Sequence, residues 1–178
     1  MNTVELKNGS EAVIREVILD DAVQLVDIQL SIAEENLYMV TESDEFSLTI
    51  TEEMQRIQGS LDKPGNTIFV AEVNKNIIGF VGIGSETKKR KAHIGVLDIF
   101  IRNNWRETGV GTVLMDTILL WAGNDPLIEK IGLAVFASNE RAVHLYKKLG
   151  FLVEGRRVRE LKFNNEKYID EILMYKLI

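Results

Sequence analysis

The run Arg106-Glu107-Thr108-Gly109-Val110-Gly111 constrains this chain more than any other, because an apolar strand-like segment leads into it and an amphipathic helix pattern leads out. At the start of a helix about four backbone N–H groups lack intrahelical partners and carry partial positive charge, so glycines there let an anion approach closely. The run therefore reads as a phosphate cradle, with Arg106 adding a cation at its rim. A dinucleotide fold would want a third glycine where Leu114 stands, and a triphosphate loop would want a lysine after Gly111, where Thr112 stands. Both of those readings fail.

A second pattern follows at a fixed separation. Leu133-Ala134-Val135-Phe136 reads as another strand, and after it comes Asn139-Glu140-Arg141-Ala142-Val143-His144-Leu145-Tyr146-Lys147-Lys148-Leu149-Gly150-Phe151. Strand, Arg-x-x-Gly-x-Gly, helix, strand and an Asn…Ala…Leu-Tyr…Gly-Phe helix together resemble the GNAT superfamily of N-acetyltransferases. The resemblance runs over roughly Gly95 to Ile178, with Gly155 to Met174 similar to the long final hairpin of the amino-acid and small-amine branch. Before Gly84 only Ile14-Arg15 followed by Asp20-Asp21-Ala22 looks like the family's first strand and helix.

Size and composition agree with a single domain spanning 1–178. Two prolines, 46% apolar residues and no repeat or low-complexity run describe a compact globular chain. With no cysteine there is no disulfide or thiolate chemistry, and two histidines without close partners make a metal site unexpected. No apolar stretch reaches the roughly eighteen residues a membrane span needs, and residues 1–5 lack a signal-like pattern, so the expected location is cytoplasmic. A net charge of −6 argues against nucleic acid as a partner. The basic run Lys88-Lys89-Arg90-Lys91 reads as a solvated hairpin turn, whereas the acidic runs Glu42 to Glu45 and Glu52-Glu53 favour a cationic acceptor.

Periodicity orders the elements. Ala12 to Glu16 alternates as a first strand, and Asp20 or Asp21 caps a helix with Leu25, Ile28 and Ile32 on its apolar face. A second helix covers Glu52 to Leu61, and the aperiodic stretch Tyr38 to Ser47 between the two is typical of a loop that shapes a pocket. Ile68 to Ala71 and Ile77 to Val81 form a hairpin around Asn74-Lys75-Asn76, and His93 to Ile101 is the fourth strand. Val110 to Trp121 is a helix stopped by Gly123 and Pro126, and Ile131 to Phe136 has the apolar composition of a parallel strand buried on both faces. A helix from Asn139 to Leu149 and two long strands, Leu152 to Phe163 and Lys167 to Leu177 around an Asn164-Asn165 turn, close the chain. The expected fold is α/β, a mostly antiparallel GNAT-like sheet splayed between its fourth and fifth strands, with about four flanking helices.

The resemblance implies acetyl-CoA as cosubstrate and assigns residues to it. The pantetheine chain would lie along the fourth strand and pair with backbone at Ile99, Phe100 and Ile101. The pyrophosphate would rest on the N–H groups of Glu107, Thr108, Gly109, Val110, Gly111 and Thr112, with Arg106 at the edge, and Ala142 would line the site. Asn139 and Tyr146 stand seven residues apart, two helical turns, so they share a face. By the resemblance Asn139 would bond the cofactor's amide chain and Tyr146 would protonate the departing thiolate. A phenol with a reference pKa near 10 carries that proton at neutral pH.

The general base is not evident. The glutamate that several members carry on the fourth strand corresponds to Leu97 here, and the one that ribosomal-protein acetyltransferases carry on the fifth corresponds to Ala134. Asp98 alternates to the opposite face from Leu97 and so is expected to turn away from the cofactor. Water relayed by backbone carbonyls or by an acid of the Tyr38 to Glu45 loop is then expected to take the proton. His93 is a further option, and His144 is expected on the solvent face of its helix. The expected function is acetylation of a small-molecule amine such as an amino acid, polyamine or amine antibiotic; the alternatives are acetylation of a protein N-terminus or lysine, and non-catalytic binding of CoA. A homodimer is also open.

Overall fold

The computed structural model describes residues 2–163 and 166–178, so the Asn164-Asn165 turn read from the sequence lies outside the described residues. In chain order the elements are β1 (Asn2–Glu5), β2 (Glu11–Glu16), α1 (Ala22–Glu34), α2 (Ile50–Asp62), β3 (Thr67–Val73), β4 (Asn76–Ser85) and β5 (Ile94–Ile101). They continue with α3 (Val110–Ala122), β6 (Lys130–Phe136), α4 (Glu140–Lys148), β7 (Leu152–Phe163) and β8 (Lys167–Leu177). One sheet runs in the order β1-β2-β3-β4-β5-β6-β8-β7. Its pairs are antiparallel except β5 with β6, which is parallel. Among the described residues no helix is long and apolar enough to cross a membrane.

Each face of the sheet carries its own core. Leu97, Ile131 and Leu133 of the sheet cluster with Leu114, Met115 and Ile118 of α3, while Val70 and Phe80 cluster with Leu25 and Ile28 of α1 and Ile57 of α2. The middle strand β4 is buried from Ile77 to Ile83, which is why its sequence is an unbroken apolar run rather than an alternating one.

Four expectations change. A strand precedes the one read as first: β1 has four residues with only Val4 partly buried, too short and too exposed to leave a period-two signal. The strand read as fourth is thus β5. Asp21 does not cap α1 with its side chain. Its carboxylate accepts the Ile18 N–H at 2.9 Å and both terminal nitrogens of Arg15 at 2.7 and 2.8 Å. The third difference concerns β6, expected to be buried on both faces. Ile131, Leu133 and Val135 are buried, but Ala134 between them is exposed because that face opens to a cleft. The second helix starts two residues earlier than its acidic residues suggest, at Ile50, since Thr49 and Glu52 form a reciprocal capping box.

Arg15 also donates to Glu72 at 2.7 and 2.9 Å, so one guanidinium ties β2 to β3 and to the entry of α1. Asp21 is 4% exposed, whereas Asp27, paired with Arg102 at 2.7 Å, has a side chain 63% exposed. Asp21→Ala is therefore expected to cost about 3 kcal/mol in urea denaturation and Asp27→Ala less than about 1 kcal/mol. Equal losses in the two variants would contradict this account of the β2–α1 junction.

Candidate active site

Parallel pairing between β5 and β6 lasts for three residues on each strand, Ile94 to Val96 against Lys130 to Gly132. Beyond them β5 pairs only with β4 as far as Ile101, and β6 only with β8 as far as Phe136. The two strands splay, and backbone N–H and C=O groups on their facing edges have no strand partner among the described residues. Such groups are costly to leave unpaired away from water, so they suit a ligand that is itself a chain of amides. A cleft of about 710 Å³ fills this gap, and Ile99, Phe100, Ile101, Val135 and Phe136 line it.

The glycine run stands at the mouth. Gly109 is the N-cap of α3 with φ +95°, a left-handed conformation that a side chain would strain, and Glu107 before it has φ 68°. The first helical bond at this end runs from the Val113 N–H to the Gly109 carbonyl, leaving the N–H groups of Val110, Gly111 and Thr112 at the cleft. A Cβ on Gly111 would meet Ile101 Cδ1 at 3.1 Å, so glycine lets the helix start close against the end of β5. This cradle and the open strand edges fit a cosubstrate with a pyrophosphate and an amide arm.

Arg106 is placed differently from its expected role. Its Nη1 and Nη2 hold the Glu35 carboxylate at 2.5 and 2.7 Å, its Nε donates to the Ile101 carbonyl at 3.2 Å, and both side chains are largely buried. The guanidinium borders the cleft but is neutralised by Glu35. It is a strut rather than a free rim cation.

Across the gap, Asn139 is the N-cap of α4. Its Oδ1 accepts the Ala142 N–H at 3.2 Å, which leaves the Nδ2 group of this cleft-lining residue as a donor. Gly150, with φ +85°, ends the helix, and the Phe151 N–H returns to the Tyr146 carbonyl at 3.0 Å while their rings sit 5.9 Å apart. The Gly-Phe pair thus clamps Tyr146, which is only 6% exposed. Its hydroxyl has no hydrogen-bond partner among the described residues, and none of their buried polar side-chain atoms lacks one, so the oxygen is open to the cleft. Burial first, and the charge of Asp98 second, push the phenol up to about 12.

Asp98 corrects the sequence reading most. It does alternate with Leu97, which is buried under α3. Because the sheet is splayed, however, the side of β5 that carries Asp98 lines the cleft instead of backing onto it. Phe100, two residues on, stacks on Phe80 at 4.9 Å on the α1–α2 side. The Asp98 carboxyl is raised above the usual carboxylate range by desolvation, an effect that Arg56 opposes in part. Asp98 and Tyr146 therefore face one gap and feel each other.

The remaining candidates separate. His93 lies before β5, outside the cleft, and His144 is exposed at its edge. Tyr38 to Thr41 line the cleft, but the acids that follow them, Glu42, Asp44 and Glu45, do not. Glu171 of β8, absent from the sequence reading, also lines it and is held by Arg157 at 2.6 Å. An acid inside an apolar strand was the available signal for Asp98, whereas Glu171 stands beside Asp170 in a strand with several charges.

Comparison with known proteins agrees with this geometry. Residues 32–151 match the acetyltransferase (GNAT) family. The chain is 28% identical over 116 residues to the L-amino acid N-acetyltransferase AaaT of Escherichia coli (strain K12), covering 65% of this chain and 71% of that protein. It is 28% identical over 162 residues to an N-alpha-acetyltransferase of Sulfurisphaera tokodaii, covering 85% and 86%. Among solved structures, a GNAT-family acetyltransferase from Streptococcus pneumoniae superposes with a TM-score of 0.89 at 32% identity, over 94% of this chain and 99% of that one. YncA of Salmonella typhimurium, solved with its cofactor acetyl-CoA, shares the fold at a TM-score of 0.84 and 13% identity, over 93% of both chains. The splayed sheet, the glycine cradle and these matches together make this chain a member of the GNAT family and an acetyl-CoA-dependent N-acetyltransferase.

Proposed function

We propose that the protein acetylates a small-molecule amine by direct attack, with Asp98 taking the amine proton and Tyr146 acting as general acid. The observation that carries this reading is that a carboxylate, Asp98, and a phenol, Tyr146, line one cleft, and the raised direction of both groups suits a base and an acid at neutral pH. Acetyl-CoA, when bound, supplies the acetyl group activated as a thioester. The backbone of Ile99, Phe100 and Ile101 would hold its amide arm and Asn139 Nδ2 would donate to it, with Ala142 lining the site. The N–H groups from Glu107 to Thr112 would meet the pyrophosphate. Asp98 then accepts the proton that the attacking amine must lose, and the Tyr146 hydroxyl provides the proton that the leaving sulfur needs.

The small-molecule reading follows from room. A cleft of about 710 Å³ must hold both the acyl arm and the acceptor, and the Tyr38 to Thr41 loop borders it. An N-alpha-acetyltransferase relative that aligns over 85% of this chain supports the second reading, a peptide N-terminus as acceptor. A screen of amino acids, polyamines and short peptides with acetyl-CoA separates the two. Acetylation of peptides alone would overturn the first.

Tyr146→Phe removes only a hydroxyl. It is expected to lower kcat by roughly a hundredfold while leaving acetyl-CoA affinity almost unchanged, and undiminished turnover would remove Tyr146 from the mechanism.

The pH dependence has a definite sign. Asp98 accepts a proton only when ionised, so kcat/KM should fall as pH drops through its raised pKa, while Tyr146 remains protonated until pH approaches about 12. Two acceptors of different amine pKa should share that acid-side inflection, and Asp98→Asn should abolish it. An inflection that persists in Asp98→Asn would return the proton to water or to the acceptor itself.

A further inference from the structure

The cosubstrate's phosphates need a cation that the family motif does not provide here. Arg106 is taken by Glu35, and Arg141 is drawn to Glu107 at 3.5 Å. Lys148 borders the cleft from the last turn of α4, away from the opening of α3. The chain as a whole carries −6, which repels an anionic ligand.

Lys7 is in the turn between β1 and β2, outside the residues 32–151 that match the family. Its backbone N–H donates to the Thr108 carbonyl at 2.9 Å, fastening the hairpin to the loop before α3. Its Cγ, Cε and Cδ lie 3.6, 3.8 and 3.9 Å from the point that a Cβ on Gly109 would occupy. The stem therefore runs along Gly109, past the N–H groups that open α3, and Lys7 lines the same cleft. Among the described residues its ammonium forms no ion pair.

We propose that Lys7 is a phosphate-binding residue of the acetyl-CoA site. The N-terminal hairpin delivers to the mouth of the cleft the charge that Arg106 cannot give, and its ammonium pairs with a phosphate of the CoA moiety. This also gives the exposed four-residue strand β1 a purpose, since it holds the turn against the glycine loop. The proposal rests on acetyl-CoA occupying the cleft as described.

Titration calorimetry of wild type, Lys7→Gln, Lys7→Glu and Lys7→Arg tests it, using acetyl-CoA, its 3′-dephospho form and S-acetyl-pantetheine as ligands. Lys7→Gln is expected to weaken acetyl-CoA binding by roughly threefold to tenfold and to flatten its salt dependence. Lys7→Glu should weaken it further and Lys7→Arg should largely preserve it, while S-acetyl-pantetheine, which has no nucleotide phosphates, should bind all four proteins alike. A loss that persists with the 3′-dephospho form assigns Lys7 to the pyrophosphate, and a loss that disappears assigns it to the 3′-phosphate. Thermal unfolding of each variant without ligand establishes that the hairpin still folds. Equal affinity and equal salt slopes for acetyl-CoA in wild type and Lys7→Gln would overturn the proposal. A wild type that binds no acetyl-CoA would instead overturn the cofactor reading beneath it.

Discussion

The site depends on a hydrogen-bond ladder that stops early. Among the described residues every other neighbouring pair in the sheet is antiparallel, and β5 with β6 is both the one parallel pair and the shortest, with three residues on each side. Where their pairing ends, two strand edges diverge with backbone groups in want of partners. A sheet interrupted in this way is less favourable by itself than a continuous one, because paired backbone is the rule inside a fold. An extended chain of amides is the natural complement to such a gap. Main chain at such an edge is available whatever the side chain, which is why Ile99 and Ile101 can pack against the core and still line the cleft.

Arg106 ties the cradle side of the cleft to the chain that follows α1. Its fork on Glu35 links the loop before α3 to the end of α1, and the cleft-lining residues Tyr38 to Thr41 follow only a few positions later. A bidentate pair with both partners largely buried holds orientation better than a solvated one. The glycine run before α3 and the Tyr38 to Thr41 wall of the cleft thus share one strut.

Much of this was legible in residue order. Gly109 and Gly111 marked the cradle because only glycine tolerates the left-handed N-cap and the close approach to Ile101. The spacing of Asn139, Tyr146 and Gly150-Phe151 marked the second wall because a helix repeats its face every two turns and ends on a left-handed glycine. What was not legible depends on three-dimensional divergence. Strand alternation put Asp98 on the far face correctly, yet it could not reveal that splaying turns that face into a cleft wall. Arg106 looked free because Glu35 is distant in sequence. β1 and Lys7 escaped notice because a four-residue, mostly exposed strand carries no period, and Glu171 because its partner Arg157 lies on the neighbouring strand.

Hydrogen exchange at the backbone amides of Leu97 to Ile101 and Leu133 to Phe136, with and without acetyl-CoA, tests the central claim directly. If the acyl arm completes the interrupted sheet, the amides of both segments that point into the gap should exchange markedly more slowly in the complex, while those already bonded to β4 and β8 change little. Tight binding of acetyl-CoA with no added protection in either segment would contradict the account.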